Sequence, residues 1–129
     1  MLRITLLLLS VLLLAGCAAP HAAGSYRQIT MEDAVLLMES QSGYVLLDVR
    51  RPDEFEAGHI PGAINLPNEE IGTEEIPALP DKDQLILVYC RSGNRSKQAS
   101  EKLAALGYTN VVEFGGILDW PGETVPGKE

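Results

Sequence analysis

Leu85-Ile86-Leu87-Val88-Tyr89-Cys90-Arg91-Ser92-Gly93-Asn94-Arg95-Ser96 is the stretch on which the fold turns. Its first five residues are apolar and β-prone, a run of the length expected of a buried strand. From Ser96 to Leu106 the pattern changes to helical spacing, with Ala99, Leu103 and Leu106 on one face and Gly107 as the stop. A cysteine therefore stands at the tip of a buried strand and at the mouth of a helix. The residues between are small or flexible, with Arg91 and Arg95 among them. Consecutive backbone N–H groups in such a turn can form an anion-binding nest, and the helix N-terminus adds unpaired N–H groups of its own. The stretch reads as an activated thiolate inside an anion cradle. An inert, buried cysteine would not call for a glycine and two arginines around the sulfur.

Working outward, strand-like runs alternate with helical ones, which means an α/β fold with a parallel sheet. Tyr26 to Ile29 is a short edge strand, and Thr30, with Asp33 three residues on, caps a helix over Met31 to Ser40. Tyr44 to Val49 reads as a central strand buried on both faces, interrupted by the carboxylate of Asp48. Pro52 opens a short helix that Gly58 ends. His59 to Gly62 is a turn, and Ala63 to Leu66 a third strand. Residues 67–83 are loop-rich and acidic, and Glu69, Glu70, Glu74 and Glu75 read as a solvated face. Val111 to Phe114 is the fifth strand. Gly115-Gly116 is expected to turn sharply into a short helix at Ile117 to Trp120, with Trp120 in the core.

The 129 residues suit one domain. The first 16 are set apart: Arg3 precedes an apolar run from Ile4 to Leu14, too short for the roughly 20 residues of a membrane span and suited to a secretory signal. The run ends in Leu14-Ala15-Gly16-Cys17, which is similar to the lipobox of bacterial lipoproteins. That resemblance implies cleavage before Cys17, diacylglycerol on its sulfur and acylation of its amine. Such a residue anchors stably to a membrane. Ala18, rather than aspartate, at the next position points by resemblance to the outer membrane of a two-membrane bacterium, with the protein facing the periplasm. The expected organisation is a lipoprotein signal peptide over 1–16, a lipidated tether over 17–25, a folded domain over 26–122 and a C-terminal tail over 123–129.

Ten basic residues stand against 18 acidic ones, a net charge of −8, and loss of Arg3 with the leader makes it more acidic. This argues against nucleic acid and anionic lipid as partners of the folded domain. Against that body Arg91, Arg95 and Lys97 form a local positive patch beside Cys90. With Cys17 lipidated, Cys90 has no partner for an internal disulfide, and an unpaired thiol in an oxidising compartment reads as reactive.

Three segments together resemble the rhodanese-like family. They are Asp48-Val49-Arg50-Arg51-Pro52-Asp53-Glu54-Phe55 with Gly58-His59-Ile60-Pro61-Gly62-Ala63-Ile64-Asn65-Leu66-Pro67; Cys90 to Ser96; and Gly115-Gly116-Ile117-Leu118-Asp119-Trp120. The likeness runs from Tyr26 to Pro121. It implies a five-stranded parallel sheet of order 1-5-4-2-3, flanked by helices on both faces. It further implies that the end of strand two (Asp48, Arg50) and Gly115-Gly116 flank Cys90, where ligands sit in open α/β sheets. The implied activity is sulfur transfer from a donor such as thiosulfate to cyanide or a thiol, through a persulfide on Cys90.

On this reading Arg91, Ser92, Gly93, Asn94 and Arg95 bind the substrate, the arginines taking the donor's sulfonate. Asp48, Arg50 and Ser96 support the loop, and His59 belongs to a turn. No metal or cofactor is implied, and the protein is expected to be a monomer. Phosphatases and arsenate reductases of the same fold resemble it with five residues between cysteine and arginine. Here Arg91 to Asn94 make four, a smaller ring of amides suited to one sulfur. A persulfide carrier or partner-docking module with little turnover of free thiosulfate is the alternative.

Overall fold

The computed structural model describes residues 25–128. The stretch expected to be a signal peptide, Cys17 and the expected tether up to Gly24 lie outside the described residues. The elements in chain order are β1 (Arg27–Gln28), α1 (Met31–Ser40), β2 (Val45–Asp48), α2 (Pro52–Ala57), β3 (Ile64–Asn65), β4 (Ile86–Cys90), α3 (Asn94–Ala105) and β5 (Val111–Gly116). Single 3-10 turns follow at Asn68–Glu70 and Ile117–Asp119. The strands form one sheet of order β1-β5-β4-β2-β3, and every pair within it is parallel. This is the expected order.

Period-two alternation along β4 builds two cores. Ile86, Val88 and Cys90 face a cluster with Ala99 and Leu103 of α3, Leu47, Val111 and Tyr108. Leu87 and Tyr89 face the opposite cluster, with Ala34 of α1, Phe55 of α2, Val112 and Phe114. All five residues of β4 are buried, as a central strand covered on both faces requires. Thr30 caps α1 by accepting a hydrogen bond from the Asp33 N–H at 3.1 Å. Pro52 opens α2, and Glu54 reaches back to the Arg51 N–H at 3.3 Å.

Two expectations are corrected. Gly115-Gly116 is no turn: β5 continues through both residues, and Cys90 pairs with Gly116. The register passes from Val88–Glu113 to Cys90–Gly116, so β5 carries one extra residue there. Gly115 absorbs it at φ +99°, a left-handed conformation that glycine adopts without strain. Trp120 is half-buried rather than central, and its indole N–H donates to the Glu123 carbonyl at 3.0 Å. The irregular C-terminal tail has fixed partners: Val125 and His59 exchange two backbone hydrogen bonds of 2.9 Å, and the Gly127 N–H donates to the Glu56 carbonyl, so it packs against α2 and its turn.

Candidate active site

Cys90 sits at the end of the central strand with 1% of its surface exposed. The Gly93 N–H donates to Sγ at 3.0 Å. Gly93 takes φ +109°, which swings the chain from strand end into the first turn of α3. Ser96, one turn into that helix, stands with Oγ 3.4 Å from Sγ. Among the described residues, Gly93 supplies the backbone amide bonded to the sulfur, and α3 opens close behind it. An acceptor sulfur that faces a backbone donor and a helix N-terminus is stabilised as an anion.

The loop lies directly on β5. A methyl group at Gly116 would come 2.0 Å from the Arg91 carbonyl oxygen and 2.5 Å from the Ser92 nitrogen. The Leu118 N–H donates to the same Arg91 carbonyl at 3.3 Å. The backbone of 91–93 is therefore held by contact with strand and 3-10 turn, not by its own side chains.

The sequence-named residues divide by position. Arg91, Ser92 and Asn94 are exposed at the rim. No ion pair or hydrogen bond engages the Arg91 side chain among the described residues. Arg95 is committed elsewhere: its guanidinium makes a two-pronged pair with Glu54 of α2, at 2.6 and 3.0 Å. Its hydrogen bonds to Glu54 push the Arg95 pKa up against a smaller opposing effect of burial, and the charge of Cys90 adds to the rise. Arg95 is thus a clamp between α3 and α2 that lends its charge to the sulfur from one side.

Glu54 is held below the usual carboxylate range, chiefly by its hydrogen bonds to Arg95, with burial opposing. A lowered carboxylate stabilises the folded state above the unfolded value of about 4.3, and that stabilisation is lost as pH falls through the lower folded value. Glu54→Gln is therefore expected to lower the urea midpoint at neutral pH, and the gap to wild type to close below about pH 4. Urea titrations at several pH values check this; a gap unchanged down to about pH 2 would remove the clamp from the account.

Asp48 and Arg50 form a buried, two-pronged ion pair, with Nη2 to Oδ2 at 2.7 Å and Nε to Oδ1 at 3.0 Å. Arg50 Nη2 also donates to the Gly58 carbonyl at 2.8 Å. No hydrogen bond joins either side chain to residues 91–95 among the described residues, so their support goes to the turn after α2. Tyr89 pairs with Asp48 across β2 and β4, and the Arg50 guanidinium lies over its ring at 5.9 Å. Its hydroxyl accepts the Ile60 N–H at 3.1 Å, and burial, with Asp48 close by, drives its pKa far up. His59 is buried, stacked on Phe55 with ring centroids 3.7 Å apart, its Nδ1 2.9 Å from the Phe55 carbonyl. That is a turn residue's setting.

Sequence reasoning missed Glu113. It is buried on β5, and its Oε1 accepts from Ser96 Oγ at 2.6 Å and from the Gly115 N–H at 2.8 Å. A carboxylate inside a strand covered on both faces was the available signal, the same one that marked Asp48.

Comparison with known proteins agrees with this geometry. The sequence model of the rhodanese-like domain matches residues 30–123. Thiosulfate sulfurtransferase PspE of Escherichia coli is 42% identical over 73 residues, 57% of this chain and 70% of that protein. The putative sulfur carrier protein YrkF of Bacillus subtilis is 31% identical over 103 residues, 79% of this chain but only 55% of that protein. A solved structure described as a rhodanese with anions from E. coli superposes with a TM-score of 0.59 at 41% identity, covering 65% of this chain and 99% of the other. The cysteine at the tip of β4, the five-stranded order and these matches together make this chain a member of the rhodanese-like family, whose matched relatives include proteins of sulfur transfer.

Proposed function

We propose that this protein is a thiosulfate sulfurtransferase that carries sulfur as a persulfide on Cys90 and is anchored to a bacterial membrane through lipid on Cys17. The observation that carries the reading is the Gly93 N–H aimed at Cys90 Sγ, 3.0 Å away, at the mouth of α3. The thiolate attacks the outer sulfur of thiosulfate. The S–S bond of the donor breaks and its electron pair leaves with sulfite. The new Cys–S–S⁻ gives its terminal sulfur to cyanide or a thiol, which splits one hard displacement into two. Arg91, exposed and unpaired among the described residues, is the free cation for the donor's sulfonate. Arg95 contributes charge from its clamp with Glu54. PspE supports the choice of thiosulfate by its name and its 42% identity. The proposed anchor is supported by Leu14-Ala15-Gly16-Cys17 behind its apolar run, and the periplasm is the compartment proposed with it. No cofactor enters this scheme, and the protein acts as a monomer.

One experiment tests both halves. Intact-mass spectrometry of protein extracted from membranes, before and after thiosulfate, is expected to show a chain beginning at a diacylglycerol-modified Cys17 and gaining one sulfur on Cys90. An unlipidated chain in the soluble fraction would remove the anchor; an unchanged Cys90 mass would remove the persulfide. The second reading, a carrier that loads once and waits for a protein partner, is favoured by the name of YrkF. Steady-state thiocyanate production separates the two, since a carrier gives a single stoichiometric burst.

A further inference from the structure

Glu113 is 3% exposed, and no cation pairs with it among the described residues. A buried carboxylate without a counter-ion is costly and calls for a use. Its partners indicate one. Ser96 Oγ carries a single proton and has three acceptors around it: Glu113 Oε1 at 2.6 Å, the Gly93 carbonyl at 2.9 Å and the Gly115 carbonyl at 3.3 Å. The shortest and charge-assisted of these commits the proton to Glu113. The lone pairs of Oγ then face the remaining neighbour, Cys90 Sγ at 3.4 Å, which can donate its thiol proton to them. Cys90, Ser96 and Glu113 are thus joined in one buried line from three elements, β4, α3 and β5.

We infer that Glu113 is the proton acceptor for Cys90, acting through the Ser96 hydroxyl. The inference rests on the reading of Cys90 as the sulfur-carrying nucleophile. The Sγ–H bond breaks and its proton joins Ser96 Oγ, while the former Ser96 proton passes to Glu113 Oε1. The electron pair stays on sulfur, and nothing is oxidised or reduced. The Ser96 O–H now points at the sulfur anion, and Glu113 is neutral. When the acceptor removes the terminal sulfur, the proton can return by the same path to the Cys90 thiolate. Glu113 touches neither donor nor sulfur: it acts on Cys90 through Ser96, by taking the proton that the hydroxyl passes on.

The other charged and titratable groups around this line are few. Lys97 of α3 and Asp119 of the 3-10 turn line a depression of about 270 Å³ together with Glu113, Ser92 and Gly93. Tyr26, before β1, has its hydroxyl pushed up by burial first, then by Glu101 and Glu113. Arg95 acts on Cys90 from the side of α2.

The test is Glu113→Gln, which keeps an oxygen for Ser96 and for the Gly115 N–H but cannot take a proton. Sulfite release in a single turnover, followed from about pH 6 to about pH 9, spans the ordinary thiol range near 8.5. The variant is expected to load about 100-fold more slowly near pH 6, the lower end of what a positioned proton acceptor contributes, and to converge on wild type at the alkaline end. Ser96→Ala should give the same pH signature from the other side of the relay, and the double variant should be no worse than the slower single one. Loading of Glu113→Gln at the wild-type rate throughout would overturn the proposal, and so would a loss by one constant factor at every pH. Failure of wild type itself to load would instead remove the sulfur-transfer reading on which this rests.

Discussion

Cys90→Ser is expected to reduce thiosulfate-to-cyanide transfer to background, a fall on the order of 10⁴-fold or more. The substitution keeps the shape of the site. A serine Oγ can still accept the Gly93 N–H and meet the Ser96 hydroxyl, which now surround Sγ at 3.0 and 3.4 Å. What it removes is chemistry. A hydroxyl loses its proton far less readily than a thiol, and a hydroxyl oxygen is no carrier for sulfane sulfur. Folding should change little, because the exchange costs one buried sulfur; about 1–2 kcal/mol is the scale for such a replacement. The measurement is thiocyanate production beside a thermal melt. Turnover retained in a folded Cys90→Ser protein would place the sulfur elsewhere, and the proposed mechanism would fall with it.

Residue patterns alone carried the elements. The apolar run leading to Cys90, the cap at Thr30, the opening proline at Pro52 and the Gly107 stop lie where strand, helix starts and helix end are found. Local physics decides each of them, so local sequence suffices. The strand order came from the resemblance rather than from patterning, because hydrophobic period says which face is buried but not which strand lies beside which. The site was half legible for the same reason. Cys90, Gly93 and Ser96 are close in sequence, and their geometry follows from one strand-to-helix turn. Arg95 and Glu54 are 41 positions apart, so reading the loop alone left Arg95 with its charge free for the donor. Glu113 meets Ser96 only because β5 pairs in parallel with β4, which places Val88 opposite Glu113. The continuation of β5 through Gly115-Gly116 was hidden by the usual meaning of two glycines. Here they serve a bulge and a close backbone approach, which local composition does not separate from a turn.

Gly116→Ala is the second change expected to be severe, although the residue carries no functional group. An added methyl group would lie 2.0 Å from the Arg91 carbonyl oxygen, 2.3 Å from its carbon and 2.5 Å from the Ser92 nitrogen. All three are backbone atoms of the Cys90 loop, so no side chain can rotate aside. Ordinary contact needs about 3 Å or more, and relief therefore requires the loop or the β5 bulge to move by about 1 Å. Overpacking of this kind costs about 1–3 kcal/mol of stability. Displacement of reacting groups by about 1 Å costs about 100-fold in rate. The Gly93 N–H and Sγ sit on the loop that must move, so the rate is expected to suffer more than the fold. Gly72→Ala is the matched control, since a methyl group there meets nothing within 4 Å and the residue is outside the positive-φ set. Thiosulfate turnover and thermal midpoints for both variants decide the matter. A Gly116→Ala protein with turnover within about twofold of wild type would mean that the loop tolerates lifting off β5, and that contact with this strand does not hold the sulfur's cradle in place.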